Sequence, residues 1–470
     1  MPVKDTYTIG IIGAGISGLT AGALLAKQGH RVLVFEKESC LGGRALSFDA
    51  GSLSVQEYRE LLARFQMHLA YSEPDLSTII SQHRLAGYTL DLGYHAIGGG
   101  VLSNLNDVFR QLDDHIETYE SAVGYIHQGG YDFPFLSRGD KLRILPNILK
   151  LLLAGERTMR KLDEVSITQT IDRYGKGKMK HILEVFSRSI STVNNLDRIS
   201  TGEMFRAQRN LLRGSKPVGY PKNGLGAISR KLADAITRSG GTVELNAPVK
   251  RIITEGGSVT GLQVGDRTVP CDIVVSSMLV QDLFSVIDER LFPASYVSMM
   301  KALTGTGSLC VYYALDDVPR ELQGKTFHFL ERGLGVDGND AVGMIDLMSA
   351  MPDSGLSPAK QYLVQAYIIC TPGEARDPQM LEKLRRSLDT NFERLIPHYK
   401  EHLLWALYPA VHHLDGVAKT IDNPKPEIIT PVQNLFLIGD CVKAPGIGIN
   451  CAINSAKVVT EMIQTKQYSQ

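Results

Sequence analysis

The chain has 470 residues, enough to bury at least one large core and to form two domains. Its 50 basic and 50 acidic residues cancel, so no net field recruits nucleic acid, and no basic run or base-stacking motif points to one. A hydrophobic fraction of 43% is ordinary for a globular chain; with no run near the roughly 18 apolar residues of a membrane span and no signal-peptide core at the start, the expectation is a cytoplasmic protein.

Taken from the N-terminus, Thr8 to Ile12 read as a buried strand, Gly13-Ala14-Gly15-Ile16-Ser17-Gly18 turns the chain, and Leu19 to Gln28 continue at helical spacing. Gly13 permits the tight turn, Gly15 lets the backbone approach a pyrophosphate, and Gly18 lets helix and strand pack closely. A pyrophosphate would then lie on the unpaired N–H groups of a helix N-terminus. A second strand, Arg31 to Phe35, delivers Glu36 and Lys37. A carboxylate there accepts hydrogen bonds from a ribose diol and repels a 2′-phosphate, which disfavours NADP. Gly42-Gly43-Arg44 follows, a glycine pair and a guanidinium able to fold back over phosphates. Together these segments describe an adenine-dinucleotide pocket and point to FAD; Gly42-Gly43-Arg44 alone would also suit a turn with a surface arginine.

Between Arg44 and Asp91 the spacing predicts a helix from Val55 to Ala70, with Leu61, Leu62, Phe65 and Leu69 on one face. It reads as a lid, a dimer contact or an extra packing helix, with packing or dimer contact preferred. Lys141 to Lys161 mixes Leu142, Ile144, Leu145, Ile148, Leu149, Leu151, Leu152 and Leu153 with Lys141, Arg143, Lys150, Arg157, Arg160 and Lys161. That pattern suits either a core helix with solvated ends, the preferred reading, or a helix docked on a bilayer surface. The six cysteines show no CxxC pair, which suits free thiols in a reducing compartment. No cluster has metal-ligand spacing, so no metal is expected. Near the C-terminus, Asn434 to Ile438 read as a strand, Gly439-Asp440 follow, and Pro445-Gly446-Ile447-Gly448-Ile449 lead into a helix through Ile463. An Asp at a strand end can bind a ribityl chain, and a glycine-opened helix can aim its dipole at a flavin's pyrimidine end.

On the fingerprint at 13–18, Gly42-Gly43-Arg44 and the Gly439-Asp440 segment, the chain resembles the FAD-dependent oxidoreductases that include flavin amine oxidases, phytoene desaturases, carotenoid isomerases and retinol saturases. The resemblance spans nearly the full length. It implies an α/β fold, a Rossmann-like FAD-binding domain with a discontinuous α+β substrate domain. It further implies that FAD is held by Gly13, Ala14, Gly15, Ile16, Ser17, Gly18, Glu36, Lys37, Gly43, Arg44, Gly439, Asp440, Gly448 and Ile449, with the Val249 backbone touching the adenine. Tyr220-Pro221-Lys222-Asn223-Gly224-Leu225-Gly226 resembles the family's return to the FAD domain, with Asn223 where a glycine is usual, and Val274 to Ser277 resembles its strand end near the nucleotide. The stretch from Arg44 to Asp91 is longer than is usual there.

Within that family, amine oxidation calls for a lysine near the flavin on a substrate-domain strand and an aromatic residue before the last helix. The similar stretch Gly307 to Tyr313 has no lysine, and Ile447 stands at the second position, leaving Tyr408 as a single remaining wall. Tyr88 to Gly100, with Asp91-Leu92-Gly93-Tyr94-His95, instead resembles the Asp-x-Gly-x-His stretch of retinol saturases and carotenoid isomerases. His95 and Tyr94 are therefore the catalytic candidates, His95 as proton donor or hydrogen-bond partner, with Tyr408, His412 and His413 behind them.

Motif order places the FAD domain in residues 1–110, 216–290 and 425–470, and the substrate domain in 111–215, read as helical, and 291–424, with strands at Leu309 to Leu315 and Tyr362 to Cys370 and a helix at Pro378 to Leu395. The expected activity is hydride transfer between flavin and a C–C bond of a small apolar, isoprenoid-like or alicyclic substrate, as desaturase or saturase. A flavin amine oxidase and a non-redox carrier of lipidated partners on the same fold are the alternatives. Electrons would pass to or from a quinone, oxygen or a redox protein, since no second nucleotide fingerprint is visible.

Overall fold

A computed structural model of the chain describes residues 6–93, 96–175 and 177–465. Five short strands form a parallel sheet in the order Thr242–Glu244, Arg31–Phe35, Thr8–Ile12, Ile273–Ser276, Leu435–Leu437. Near-continuous burial along its central strands is what a sheet covered on both faces requires. On one face the helix Ile16–Lys27 packs between the helices Gly226–Arg238 and Gly448–Thr465. On the other lies a three-stranded antiparallel sheet, Val249–Glu255, Ser258–Val264 and Arg267–Pro270. Gly10 has no room for a side chain because Leu262 of that sheet lies against it. These are the three layers of a Rossmann-like nucleotide-binding unit.

A second, eight-stranded sheet runs in the order Met67–Glu73, Leu403–Val411, Gly307–Leu315, Tyr362–Cys370, Ala341–Asp346, Thr326–Glu331, Val123–His127, Gly130–Asp132. All its pairings are antiparallel except that of Thr326–Glu331 with Val123–His127. One face is apolar, with Leu309, Val311, Phe327, Phe329, Ile345, Val364 and Ile368 buried against Leu384, Leu388 and Phe392 of the helix Pro378–Leu395. The opposite face looks toward the nucleotide-binding unit, and helices between Arg138 and Leu212 close its side.

Two expectations change. The helix that begins at Val55 ends at Arg64, where Gln66 takes φ 56° and the chain turns into the strand Met67–Glu73. Ser54 and Glu57 form a reciprocal capping box that fixes the helix start, whereas Leu69, read as the end of the apolar face, lies in the strand. That strand belongs to the eight-stranded sheet although residues 1–110 read as FAD domain. Likewise 111–215 is not purely helical, because Thr118–Ser121, Val123–His127 and Gly130–Asp132 are strands, the last two joined by a hairpin turn at Gln128-Gly129.

Candidate cofactor cleft and adjoining cavity

A cleft of about 310 Å³ runs along the C-terminal ends of the parallel strands, where ligands of open α/β sheets lie. Gly13, Gly15, Ile16, Ser17, Glu36, Lys37, Gly43, Arg44, Val249, Gly439, Asp440, Gly448 and Ile449 line it. Ala14 and Gly18 sit behind it. A Cβ at Gly18 would stand 2.1 Å from the Gly13 carbonyl, so the glycine there keeps the turn against the helix. Gly15 instead faces free space: a Cβ would meet nothing nearer than the Gly42 carbonyl at 4.0 Å. Gly15 also caps its helix without a side-chain hydrogen bond, leaving first-turn N–H groups for an anion. A bare backbone strip beside a helix N-terminus fits a pyrophosphate.

Glu36 is buried and accepts from Ala14 N at 2.7 Å and Glu38 N at 3.0 Å. These bonds use two of a carboxylate's roughly four acceptor positions, so ribose hydroxyls can be received as well. At the opposite side, Arg44 and Asp440 form an ion pair across the cleft, Nη2 to Oδ1 at 2.5 Å, rather than standing apart as phosphate clamp and ribityl acceptor. Arg44 also donates to the Leu414 carbonyl at 3.1 Å, and Asp440 Oδ2 accepts from Gly416 N at 2.9 Å. Burial alone would raise the Asp440 carboxyl, but the Arg44 guanidinium holds it well below the usual carboxylate range. Beneath it, buried Lys425 donates to the Asp440 carbonyl at 2.6 Å.

The cleft has a wall that the sequence motifs did not indicate. Arg64, Phe65 and Gln66, at the turn after the added helix, line it together with His413 and Leu414. Gln66 accepts from His412 N at 3.2 Å, and the His68 and His412 rings meet at 3.1 Å, fastening the added segment to the strand Leu403–Val411. Burial, with Arg376 and His68 nearby, pushes His412 down to about 4. His412 thus braces this wall, and His413 offers Arg44 its carbonyl at 3.5 Å.

Asp91 joins three segments that the resemblance treats separately. Its buried carboxyl accepts from Ser47 and Tyr220 hydroxyls and from Leu225 N at 3.1 Å, at the start of the helix Gly226–Arg238. Burial outweighs these bonds and pushes it up to about 6. Tyr94 and His95, which follow it, lie outside the described residues. Tyr408 is described and does not reach the cleft: it projects to the apolar face, where its hydroxyl donates to Asp389 at 2.7 Å and its ring meets Tyr313 edge-on. Strand alternation explains this, because Leu407 and Val411 are buried on the nucleotide-binding side while Ala406, Tyr408 and Ala410 are buried on the other.

A second cavity, about 90 Å³, shares Leu414, Gly448 and Ile449 with the cleft. Its walls are largely apolar, from Ala96, Val123, Phe186, Ile190, Leu211 and Met344, and Ile447 stands at its border with the last helix. Ser189, Thr192, His328, Tyr367 and Asp415 supply its polar atoms. Asp415 is paired with buried Lys419 and accepts from Thr192 at 3.1 Å. None of the five was among the sequence candidates, because nothing local marks a residue that alternation alone turns toward a cavity.

All six cysteines are free thiols; Cys441 and Cys451, beside the cleft, are buried, and burial pushes Cys441 up to about 12. Among the described residues no group of His, Cys, Asp and Glu could hold a metal ion.

The sequence profile of flavin-containing amine oxidoreductases matches residues 16–463. The chain is 21% identical to the 15-cis-phytoene desaturase of Arabidopsis thaliana over 94% of this chain and 77% of that one. It is 23% identical to the inactive all-trans-retinol 13,14-reductase of Danio rerio over 62% of this chain and 50% of that one. With the phytoene desaturase of Fusarium fujikuroi the figures are 24%, 66% and 56%, so the chain spans about half the length of these last two relatives. Among solved structures, an oxidoreductase from Methanosarcina mazei shares the fold with TM-score 0.69 at 19% identity, over 96% of this chain and 99% of that one. Putrescine oxidase bound to putrescine shares it with TM-score 0.65 at 14% identity, over 98% and 99%. With a family match across nearly the whole chain and a cleft that fits an adenine dinucleotide, the protein belongs to the flavin-containing amine oxidoreductase family, and its cofactor is FAD.

Proposed function

We propose that this FAD-dependent oxidoreductase acts on a C–C bond of a small, largely apolar substrate held in the second cavity. FAD, when bound, supplies the hydride acceptor or donor, and the chain supplies alignment and a dry site. The observation that carries this reading is the charge state of the cavity. Its one carboxylate among the described residues, Asp415, is already neutralised by Lys419, so an ammonium substrate would enter without a counter-charge. Ile447 at the border and Tyr408 on the far face leave empty the two positions where the resemblance would put an amine-binding aromatic wall. Two of the relatives are named phytoene desaturases, which agrees with a C–C bond as the reacting centre.

Access for such a substrate is proposed through the helix Arg138–Leu153. Leu142, Leu145, Leu149 and Leu153 are 74%, 44%, 49% and 84% exposed, along one stripe flanked by exposed Lys141, Arg143 and Lys150. A solvated apolar stripe with basic flanks suits the surface of an anionic bilayer, not a buried core. No helix among the described residues is long and apolar enough to cross a membrane.

The test is the visible spectrum of the purified protein before and after anaerobic reduction, followed by turnover of apolar alkenes against amines. Bleachable FAD with re-oxidation by alkenes, or reduction by their saturated counterparts, is expected. Amine-dependent peroxide production would establish the amine oxidase instead. A colourless protein that cannot be reconstituted would turn the assignment to a carrier.

A further inference from the structure

The face of the eight-stranded sheet that looks toward the cofactor carries polar side chains among its apolar ones, whereas its opposite face is apolar. In register across neighbouring strands, His328 stands beside Met344 and Met344 beside Tyr367; one pair along, Thr326 stands beside Asp346 and Asp346 beside Gln365. The second group is spoken for by structure, since Thr326 donates to Asp346 at 2.7 Å and Gln365 donates to the Tyr220 hydroxyl at 2.9 Å. The first group lines the cavity itself. There Ser189 Oγ lies 3.4 Å from His328 Nε2 and also hydrogen-bonds Tyr367. Phe186 packs edge-on against the imidazole at 5.6 Å, fixing its plane.

His328 is 3% exposed, and its Nδ1 makes no aligned hydrogen bond. Burial, opposed in part by the Gly343 carbonyl, pushes the imidazole down to about 4, so at neutral pH it is uncharged, with one N–H donor and one acceptor nitrogen. Among the described residues no net charge faces it from the cavity walls, because Asp415 is paired with Lys419. An ion on the ligand would find no counter-ion here; a neutral oxygen would find donors and an acceptor.

We propose that the substrate carries one uncharged oxygen function, a hydroxyl or a carbonyl, docked between His328 and the Ser189–Tyr367 pair, while its apolar carbons extend toward Gly448 and Ile449. This rests on the reading of the second cavity as the substrate site. His328 is then a specificity-determining residue, selecting oxygenated alkenes over pure hydrocarbons. With about 90 Å³ available, the oxygen and the reacting carbons belong to the same end of the substrate.

The experiment uses FAD-loaded protein and matched probes: geraniol against 2,6-dimethylocta-2,6-diene, and cyclohex-2-enone against cyclohexene, with geranic acid and geranylamine as charged controls. Binding is read from the perturbation of the visible flavin band. The oxygenated member of each pair is expected to bind about tenfold or more tightly, and the charged controls no better than the hydrocarbons. His328→Leu should abolish the preference; Tyr367→Phe, which keeps the packing, should reduce it severalfold. Equal affinities within both pairs, or a preference untouched in both variants, overturn the oxygen site while the assignment of a C–C redox enzyme stands. A protein that carries FAD but reacts only with amines refutes that assignment instead.

Discussion

Replacing Gly15 with alanine separates contact with the cofactor from folding. Gly15 has φ −76° and ψ 177°, extended backbone that alanine adopts freely. The new methyl would meet nothing closer than the Gly42 carbonyl at 4.0 Å. Alanine is a poorer N-cap than glycine by roughly 0.5–1 kcal/mol, but it removes about 0.4–1 kcal/mol of unfolded-state entropy, so the stability of the apoprotein should barely move. The methyl does occupy the space where a pyrophosphate would approach the first turn of the helix. Displacing the phosphates from one charge-assisted N–H bond costs about 1.5–3 kcal/mol, which raises the FAD dissociation constant about 10- to 100-fold. Thermal unfolding of apoprotein and quenching of FAD fluorescence measure the two quantities independently. Wild-type FAD affinity in a folded Gly15→Ala protein would refute the placement of the pyrophosphate; a collapse in apoprotein stability would refute the open geometry around Gly15.

Arg44→Leu leaves the buried Asp440 carboxylate without its guanidinium, and both apoprotein stability and FAD retention should fall. Because the Arg44 side chain keeps about a third of its exposure, the stability loss should be about 2 kcal/mol, less than for a fully buried pair, as read by denaturant unfolding. Asp440 has a depressed folded-state pKa, so its contribution is present above the unfolded value near 3.9 and is lost only as pH falls through the folded value; Arg44→Leu should therefore narrow its gap from wild type in strong acid. Asp346 behaves oppositely: burial pushes it up to about 7, so the folded state holds a proton that the unfolded state has released, and stability declines as pH rises from about 4 to about 7. Asp346→Asn should flatten that decline, by up to about 4 kcal/mol, and an unchanged pH profile would contradict a protonated Asp346. Leu142→Glu with Leu149→Glu should leave unfolding within about 0.5 kcal/mol and abolish co-sedimentation with anionic vesicles; binding that survives both charges would remove the bilayer contact.

The nucleotide-binding half of the molecule was legible because its chemistry is written in local spacing. Strand, Gly13 to Gly18, helix, second strand and Glu36 form one continuous stretch whose backbone must take that path for a phosphate to approach, and 13 of the residues expected around FAD line one cleft. Tyr408 was misplaced for a physical reason. In a strand a shift of one residue reverses the face, and a sequence that is buried on both sides gives no alternation to choose between them. The same holds for the turn at Phe65-Gln66: the helical pattern of Leu61 and Leu62 runs on into Leu69 by coincidence of spacing, and only the φ of 56° at Gln66 breaks it.

The adjoining cavity was illegible for a related reason, and the cause bears on what selects a substrate in this fold. Strands Thr326–Glu331 and Tyr362–Cys370 are buried along most of their length, so their polar members read simply as residues of core strands. Only the register among three strands brings His328 and Tyr367 to either side of Met344 on one face, and only the helix Lys178–Ser191 adds Ser189 to them. Cofactor recognition depends on backbone approach at a single turn, which short motifs can record; substrate recognition depends on side chains from distant strands and a helix, which no short motif can. A substitution at His328 can therefore change the ligand while every motif that marks the family stays intact, whereas one at Gly15 or Arg44 acts on cofactor retention whatever the ligand is. Family membership accordingly fixes the cofactor of this chain more firmly than its reaction.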